Sequence, residues 1–419
     1  MQKIKQVIVQ NFLSYGILVA FLLNFSGEIT FGIFRIGFLD ELGSLFILSL
    51  AGFMIIAKRK IRIYNLLFII YFFCLSLIYL LFYIETFPSF LYEYYKLFVF
   101  LIFIPLLNYT DKFTVEKTVN GLIKLFIIVL CVNLFFIILQ YATNNEILRI
   151  LQYDHKRTDS WERYGRYTGL FDVANLGLTA LLMLLFNEIC NKNKTGYFLL
   201  FGLCIISLIF SSSKVGYLIF LIWAIVFLRK YIFKHGLKII LFLIVFSSFA
   251  FIYTQNTIYS KIEQYSYFFK HIGNTQKLNL ATVEKRAMFL GESIKIVKEH
   301  PFGLGFGTFG DASAKLNPNA FQMPRKYWLD KYVYMSDSSF AHILAEQGIT
   351  SVFYYVLFFL PILFLKRKLI KYYILLLLFY FLQHMVTMSL TSGSYPMLFA
   401  FLFGLFYFNK KFQNVFKIS

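Results

Sequence analysis

The chain has 419 residues, 59% of them hydrophobic and only 15% charged, and a formal net charge of +20. Soluble domains carry about 25% charged residues, so a water-soluble globule is excluded; the apolar runs are continuous, without the alternation a membrane barrel requires. The composition is that of an all-α, polytopic integral membrane protein, and with no soluble basic domain to carry the charge, nucleic acid is excluded as a partner.

A membrane-crossing helix needs roughly 20 apolar residues. Runs of that kind predict about twelve transmembrane helices, at 6–26, 39–57, 63–84, 90–109, 119–141, 168–189, 196–212, 214–228, 237–254, 338–365, 370–390 and 394–408. The first run follows Lys3 and Lys5 and ends without a convincing cleavage site, so it reads as an uncleaved span. Basic clusters orient the rest. Lys58-Arg59-Lys60, Lys112 and Lys117, Lys192 and Lys194, Arg229 to Lys238, Lys366-Arg367-Lys368, and Lys410 and Lys411 all fall on one side under this scheme. Both termini are then cytoplasmic. The scheme divides 197–228 into two short spans that meet at a polar break, SSSKVG (Ser211–Gly216). Non-helical backbone at membrane depth is tolerated where protein or a watery cavity surrounds it.

Two non-cytoplasmic loops exceed a turn. The smaller, 142–167, holds Arg149, Lys156, Arg157, Arg163 and Arg166. The larger, 255–337, lies between spans nine and ten and carries 11 Lys/Arg against 6 Asp/Glu before Asp337. Residues 1–419 otherwise form a single membrane domain. Within the larger loop, 284–298 has a helical pattern with Val283, Met288, Ile294 and Val297 apolar, the mark of an amphipathic helix lying on a membrane surface.

Positive charge outside runs against the usual bias, and a guanidinium holds phosphate oxygens through a planar fork. Arg163, Arg166 and Arg286 are therefore candidates for binding an anionic headgroup such as a lipid pyrophosphate; snorkelling to outer headgroups is the plainer alternative. Lys214 lies in the polar break, where an ionisable group is costly and so points to function. The run HPFGLGFGTFG (His300–Gly310) brings Gly303 and Gly305 together without the flanking elements of a nucleotide loop. Such glycines make a tight turn that lets backbone approach another helix or a ligand. In SDSSFAHILAEQG (Ser336–Gly348), Asp337 or Ser338 is a natural N-cap. Asp337 also has the chemistry of a general base on a sugar hydroxyl. His342 and Glu346 lie further along the same apolar helix, where a histidine is commonly a hydrogen-bonded packing group. The cysteines (Cys74, Cys131, Cys190, Cys204) lack metal-ligand spacing and read as buried thiols. No metal site and no cofactor motif is visible.

Four segments, in order, resemble the O-antigen polymerase and O-antigen ligase superfamily of bacterial surface-polysaccharide assembly. RYTGLFDVANLG (Arg166–Gly177) looks like the family's arginine–glycine segment, FSSSKVGYL (Phe210–Leu218) like its S-x-SRG segment, KRAMFLGESIKIVKEHPFGLGFGTF (Lys285–Phe309) like its R…hP-x-GxGxgxF segment, and DSSFAHILAEQGI (Asp337–Ile349) like the segment that opens the span after the large loop. The resemblance implies a bacterial inner-membrane enzyme with two polyprenyl-diphosphate-linked glycans, donor and acceptor, as substrates. Its implied reaction is metal-independent, inverting transfer at the periplasmic face, building O-antigen, capsule or exopolysaccharide. Besides the bilayer, a chain-length regulator is a partner of the kind such a polymerase takes. Arg166, Arg286 and Asp337 are the implied catalytic residues; Arg163, Lys214, Gly303, Gly305 and His342 are the implied substrate-binding ones. Two departures stand out. Lys214 replaces the family's arginine, keeping the charge without the fork. Asp337 stands where ligases usually carry histidine, which favours a polymerase over a ligase. A transporter of lipid-linked oligosaccharides is the third reading; it predicts internally symmetric halves, and none is visible.

Overall fold

A computed structural model describes residues 2–27, 38–58, 63–82, 112–144, 146–150, 167, 169–170, 180–185, 194–211, 216–226, 245, 248, 282–309, 338–363, 365–386 and 394–407. Among the described residues there is no strand. The elements are α1 (Gln2–Gly27), α2 (Phe38–Lys58), α3 (Ile63–Phe82), α4 (Lys112–Ala142), the short α5 (Glu146–Ile150), α6 (Lys194–Ser211), α7 (216–226), α8 (Thr282–Glu299), α9 (Ser339–Gln347), α10 (Ser351–Phe359), α11 (Arg367–Val386) and α12 (Ser394–Tyr407). A further stretch, 180–185, is helical and buried. Nine of the expected spans thus meet helices at nearly their predicted positions. The spans at 90–109 and 237–254, and most of 168–189, lie outside the described residues.

By length and composition, two described stretches are long and apolar enough to cross a bilayer, Thr114–Ala142 and Ser339–Leu363; shorter apolar helices lie within α1, α2, α3, α6, α7, α11 and α12. α1 packs along α2 and α4 and reaches α12, while α4 also packs on α6. Close approach depends on small residues: Gly43 of α2 sits against the Ala20 carbonyl and Asn24 of α1, and Gly121 of α4 sits under the Leu18 side chain. Aromatic edges complete the contact. Phe126 meets Phe21 at 6.2 Å and Phe25 at 5.8 Å, and Phe21 meets Phe401 of α12 at 5.9 Å. Polar ties accompany them. Thr118 Oγ1 donates to Ser14 Oγ at 3.0 Å, and Lys117 Nζ donates to Asn11 Oδ1 at 2.8 Å. In a bilayer, where lipid is as apolar as leucine, this close packing and hydrogen bonding is what holds helices together.

The expected span at 338–365 is built in two parts. Ser338, in extended conformation, caps α9 by accepting the Ala341 N–H at 3.3 Å, which satisfies one of the free donors at the helix start. Along 338–348 no residue is exposed. After a 3-10 turn at Gly348–Thr350, α10 and a second 3-10 turn (Leu360–Leu363) continue the rod. From there Ile349, Val352, Phe353, Val356, Phe359 and Leu363 form one exposed apolar stripe at helical spacing, as a lipid-facing surface requires. The amino-terminal part is wrapped by protein; the carboxy-terminal part faces outward. Two cysteines differ from expectation in the same way: Cys74 and Cys131 are exposed on their helices, while Cys204 is buried and Cys190 lies outside the described residues.

Candidate functional site

Two junctions bring the singled-out segments together. The first joins the ends of α4 and α6 to the RYTGL stretch. Asn133 and Gln140, both buried in α4, lie on one helical face about two turns apart. Gln140 Oε1 accepts the Gly169 N–H at 3.0 Å and Asn133 Oδ1 accepts the Leu170 N–H at 2.8 Å. Gly169 has φ +68°, and a Cβ there would press on the Asn133 side chain and carbonyl; glycine meets both demands. Tyr167, next after Arg166 in sequence, donates its N–H to the Phe210 carbonyl at 2.9 Å, in the last turn of α6 before the SSSKVG break. The rings of Tyr141, Tyr167 and Phe210 pack edge to face. Burial and the neighbouring Tyr141 push the Tyr167 phenol above its ordinary range, so it remains a neutral hydroxyl.

The second junction seats α8 and the glycine turn on α9. Phe289 and Ile296 of α8 meet Ala341 and Ala345 of α9, with Phe309 and Leu304 from the turn closing the cluster. Ser293, between them, donates to the Ala341 carbonyl at 2.8 Å. The buried face of α8 is therefore Phe289–Ser293–Ile296 and rests on protein. Ile294, expected on the membrane-facing side, is 44% exposed. The helix is amphipathic as expected; its buried face is covered by α9 rather than by a membrane surface.

After α8 the chain folds back in a backbone-to-backbone ladder. Leu304 N–H donates to the Ala345 carbonyl at 3.0 Å, Gly305 N–H to the Glu346 carbonyl at 3.1 Å, and Ile349 N–H to the Pro301 carbonyl at 2.8 Å. Gly303, Gly305 and Gly307 all have positive φ. Side chains then close the junction. Glu346 Oε1 accepts the N–H groups of Thr308 at 2.8 Å and Phe309 at 3.0 Å. His342 Nδ1 meets the Phe309 carbonyl, and its Nε2 stands 3.5 Å from Glu346 Oε2. His342 and Glu346 are 0% and 1% exposed. From the far side Tyr71 of α3 donates to Gln347 Oε1 at 2.8 Å, and Ser338 Oγ donates to the His384 carbonyl of α11 at 3.2 Å.

Of the candidate residues, Gly303, Gly305 and His342 are brought together here. Arg286 is on α8. Arg163, Arg166, Lys214 and Asp337 lie outside the described residues, as does most of each polar loop (142–167 and 255–337). Sequence reasoning noted Glu346 in its apolar helix without giving it a role, and passed over Asn133 and Gln140. Each is a polar group in an apolar helix, and that was the available signal. Among the described residues, no group of three His, Cys, Asp or Glu side chains is placed to hold a metal ion.

A helical, apolar chain with polar segments clasped to one buried helix is a membrane protein built around a junction between its spans. Residues 199–356 match the family model described as O-antigen ligase. The match supports the O-antigen polymerase and ligase superfamily. It takes in SSSKVG, α8 with the glycine turn, and α9; the RYTGL segment lies outside it. No curated protein matches the chain significantly.

Proposed function

We propose that the protein is a polysaccharide polymerase that joins polyprenyl-diphosphate-linked oligosaccharide repeat units at the periplasmic face of the bacterial inner membrane. The observation that carries this reading is the clasp. It seats α8, the helix of Arg286, on α9, whose cap Ser338 directly follows Asp337. The Tyr167–Phe210 bond supports it, because it joins the neighbour of Arg166 to the helix that runs into the Lys214 segment. Asp337 takes the proton of an acceptor sugar hydroxyl. The freed oxygen attacks the donor's anomeric carbon from the face opposite the diphosphate, a C–O bond forms, and the bond to the diphosphate oxygen breaks. Negative charge grows on the departing lipid diphosphate, where Arg166, Arg286 and Lys214 stabilise it in a site partly closed to water; Arg163 helps to hold the diphosphate beforehand. Gly303, Gly305 and His342 serve substrate through the turn they hold, since His342 is fully buried.

Asp337, at the position where ligases of the superfamily usually carry histidine, favours the polymerase. The name of the matched family keeps the ligase as the second reading. A strain lacking this gene, with its polysaccharide cluster otherwise intact, separates them. With wild-type protein a glycan ladder forms; without it, or with Arg166→Ala, single repeat units remain, the substitution costing about 100-fold or more. Full-length polymer left on its lipid carrier in the deletion strain would instead make the protein a ligase.

A further inference from the structure

Glu346 has no place in the chemistry above, yet its carboxylate is buried inside the molecule. A buried carboxylate costs several kcal/mol unless it is paired and hydrogen-bonded, so its partners show what it is for. Oε1 accepts two adjacent backbone N–H groups, those of Thr308 and Phe309. These close the glycine turn. Oε2 faces His342 Nε2. The other imidazole nitrogen, Nδ1, meets a carbonyl, which has no proton to give, so Nδ1 carries the N–H. Nε2 stands 3.5 Å from Oε2, on the side of the carboxylate turned away from the two N–H groups.

We infer that Glu346 is a positioning residue, locking the Gly303–Phe309 turn, and α8 with it, against α9. The inference rests on the proposed function in one respect: what is positioned is Arg286 of α8 relative to Asp337, which precedes the α9 cap. Glu346 sits one helical turn beyond His342, so a single face of α9 presents both groups to the turn. The glycines complete the fit. A Cβ on Gly303 would overlap the Glu346 carbonyl, and one on Gly348 would overlap the Pro301 carbonyl. The side-chain lock and the backbone ladder thus require each other.

The geometry of these contacts yields a test that separates positioning from chemistry. In Glu346→Gln the amide oxygen accepts the same two N–H groups, and the amide NH2 donates to the His342 Nε2 lone pair. The contacts to the turn survive. Glu346→Ala leaves two buried donors unanswered, and Glu346→Asp is one methylene too short to reach them. The expected result is polymer within about threefold of wild type for Gln, and a loss of about 100-fold or more for Ala. Asp substitutes for Ala should the alanine protein fail to accumulate in membranes.

A second readout follows the clasp without any reaction. With Cys74, Cys131, Cys190 and Cys204 replaced, Ser293→Cys reports from the buried α8–α9 face to a membrane-impermeant maleimide. It stays protected in wild type and Glu346→Gln and becomes labelled in Glu346→Ala. An inactive Glu346→Gln with Ser293→Cys protected would overturn the inference, because the carboxylate would then be acting chemically. An active Glu346→Ala, or one inactive but still protected, overturns it too. If wild type proves to be a ligase, the proposed function fails, while the labelling pattern and the loss of transfer still decide the clasp.

Discussion

Glycine holds helices close in two regions of this protein, on different terms. In the bundle of α1, α2 and α4, a Cβ added to Gly16 would meet the tip of Leu50, and one added to Gly121 would meet the tip of Leu18. Both contacts are with flexible side-chain ends. At the clasp, a Cβ on Gly303 or Gly348 would strike backbone atoms, and both residues have positive φ. The first kind of glycine saves space that a leucine can give back. The second holds two main chains in hydrogen-bonding contact, with nothing movable between them. The bundle tolerates local repacking at Gly16 and Gly121, though not at Gly43, where a Cβ would press on the Ala20 carbonyl; the clasp has a single solution.

That contrast can be pressed by substitution. The largest effect is expected for Gly348→Ala, which places a methyl into the Pro301 carbonyl at φ +57°. Strain and overlap together should cost ~3 kcal/mol or more, read as a lowered melting temperature in detergent and the disappearance of the glycan ladder. Phe126→Ala comes next. It empties the space between Phe21 and Phe25 and should cost roughly 3 kcal/mol in stability, lowering the amount of protein in membranes while activity per molecule stays within about twofold. The smallest is Gly121→Ala. Leu18 must turn aside, but alanine favours the helix by about 0.5–1 kcal/mol over glycine, so melting temperature and ladder should both stay near wild type. A Gly121→Ala protein as impaired as Gly348→Ala would remove the distinction between the two regions.

The helices were legible because a bilayer demands long apolar runs, and such runs are visible without any knowledge of partners. The glycine turn was legible as a place of close backbone approach, although its partner was open between a helix and a ligand; it is α9. The N-cap was narrowed to Asp337 or Ser338, and Ser338 makes the bond. What stayed hidden depends on contacts between distant elements. The inward face of α8 includes Ser293, a polar residue that apolar periodicity discounts, and Ser293 is buried because the Ala341 carbonyl receives its hydroxyl. Glu346 looked like an oddity in an apolar helix until Thr308 and Phe309 supplied its donors. Asn133 and Gln140 were lost inside a continuous apolar run, and they matter only because Gly169 and Leu170 return to them.

The hydrogen bond from Tyr71 to Gln347 spans 276 positions of the chain. Ribosomes add about 5–20 residues per second, so Gln347 is synthesised roughly a quarter of a minute to a minute after Tyr71. For that interval the Tyr71 hydroxyl lacks the Gln347 acceptor that it meets in the finished chain. The clasp is therefore a late event in the birth of the molecule. The amino-terminal helices are made long before it, and a nascent chain interrupted anywhere before α9 has a scaffold with nothing yet to hold.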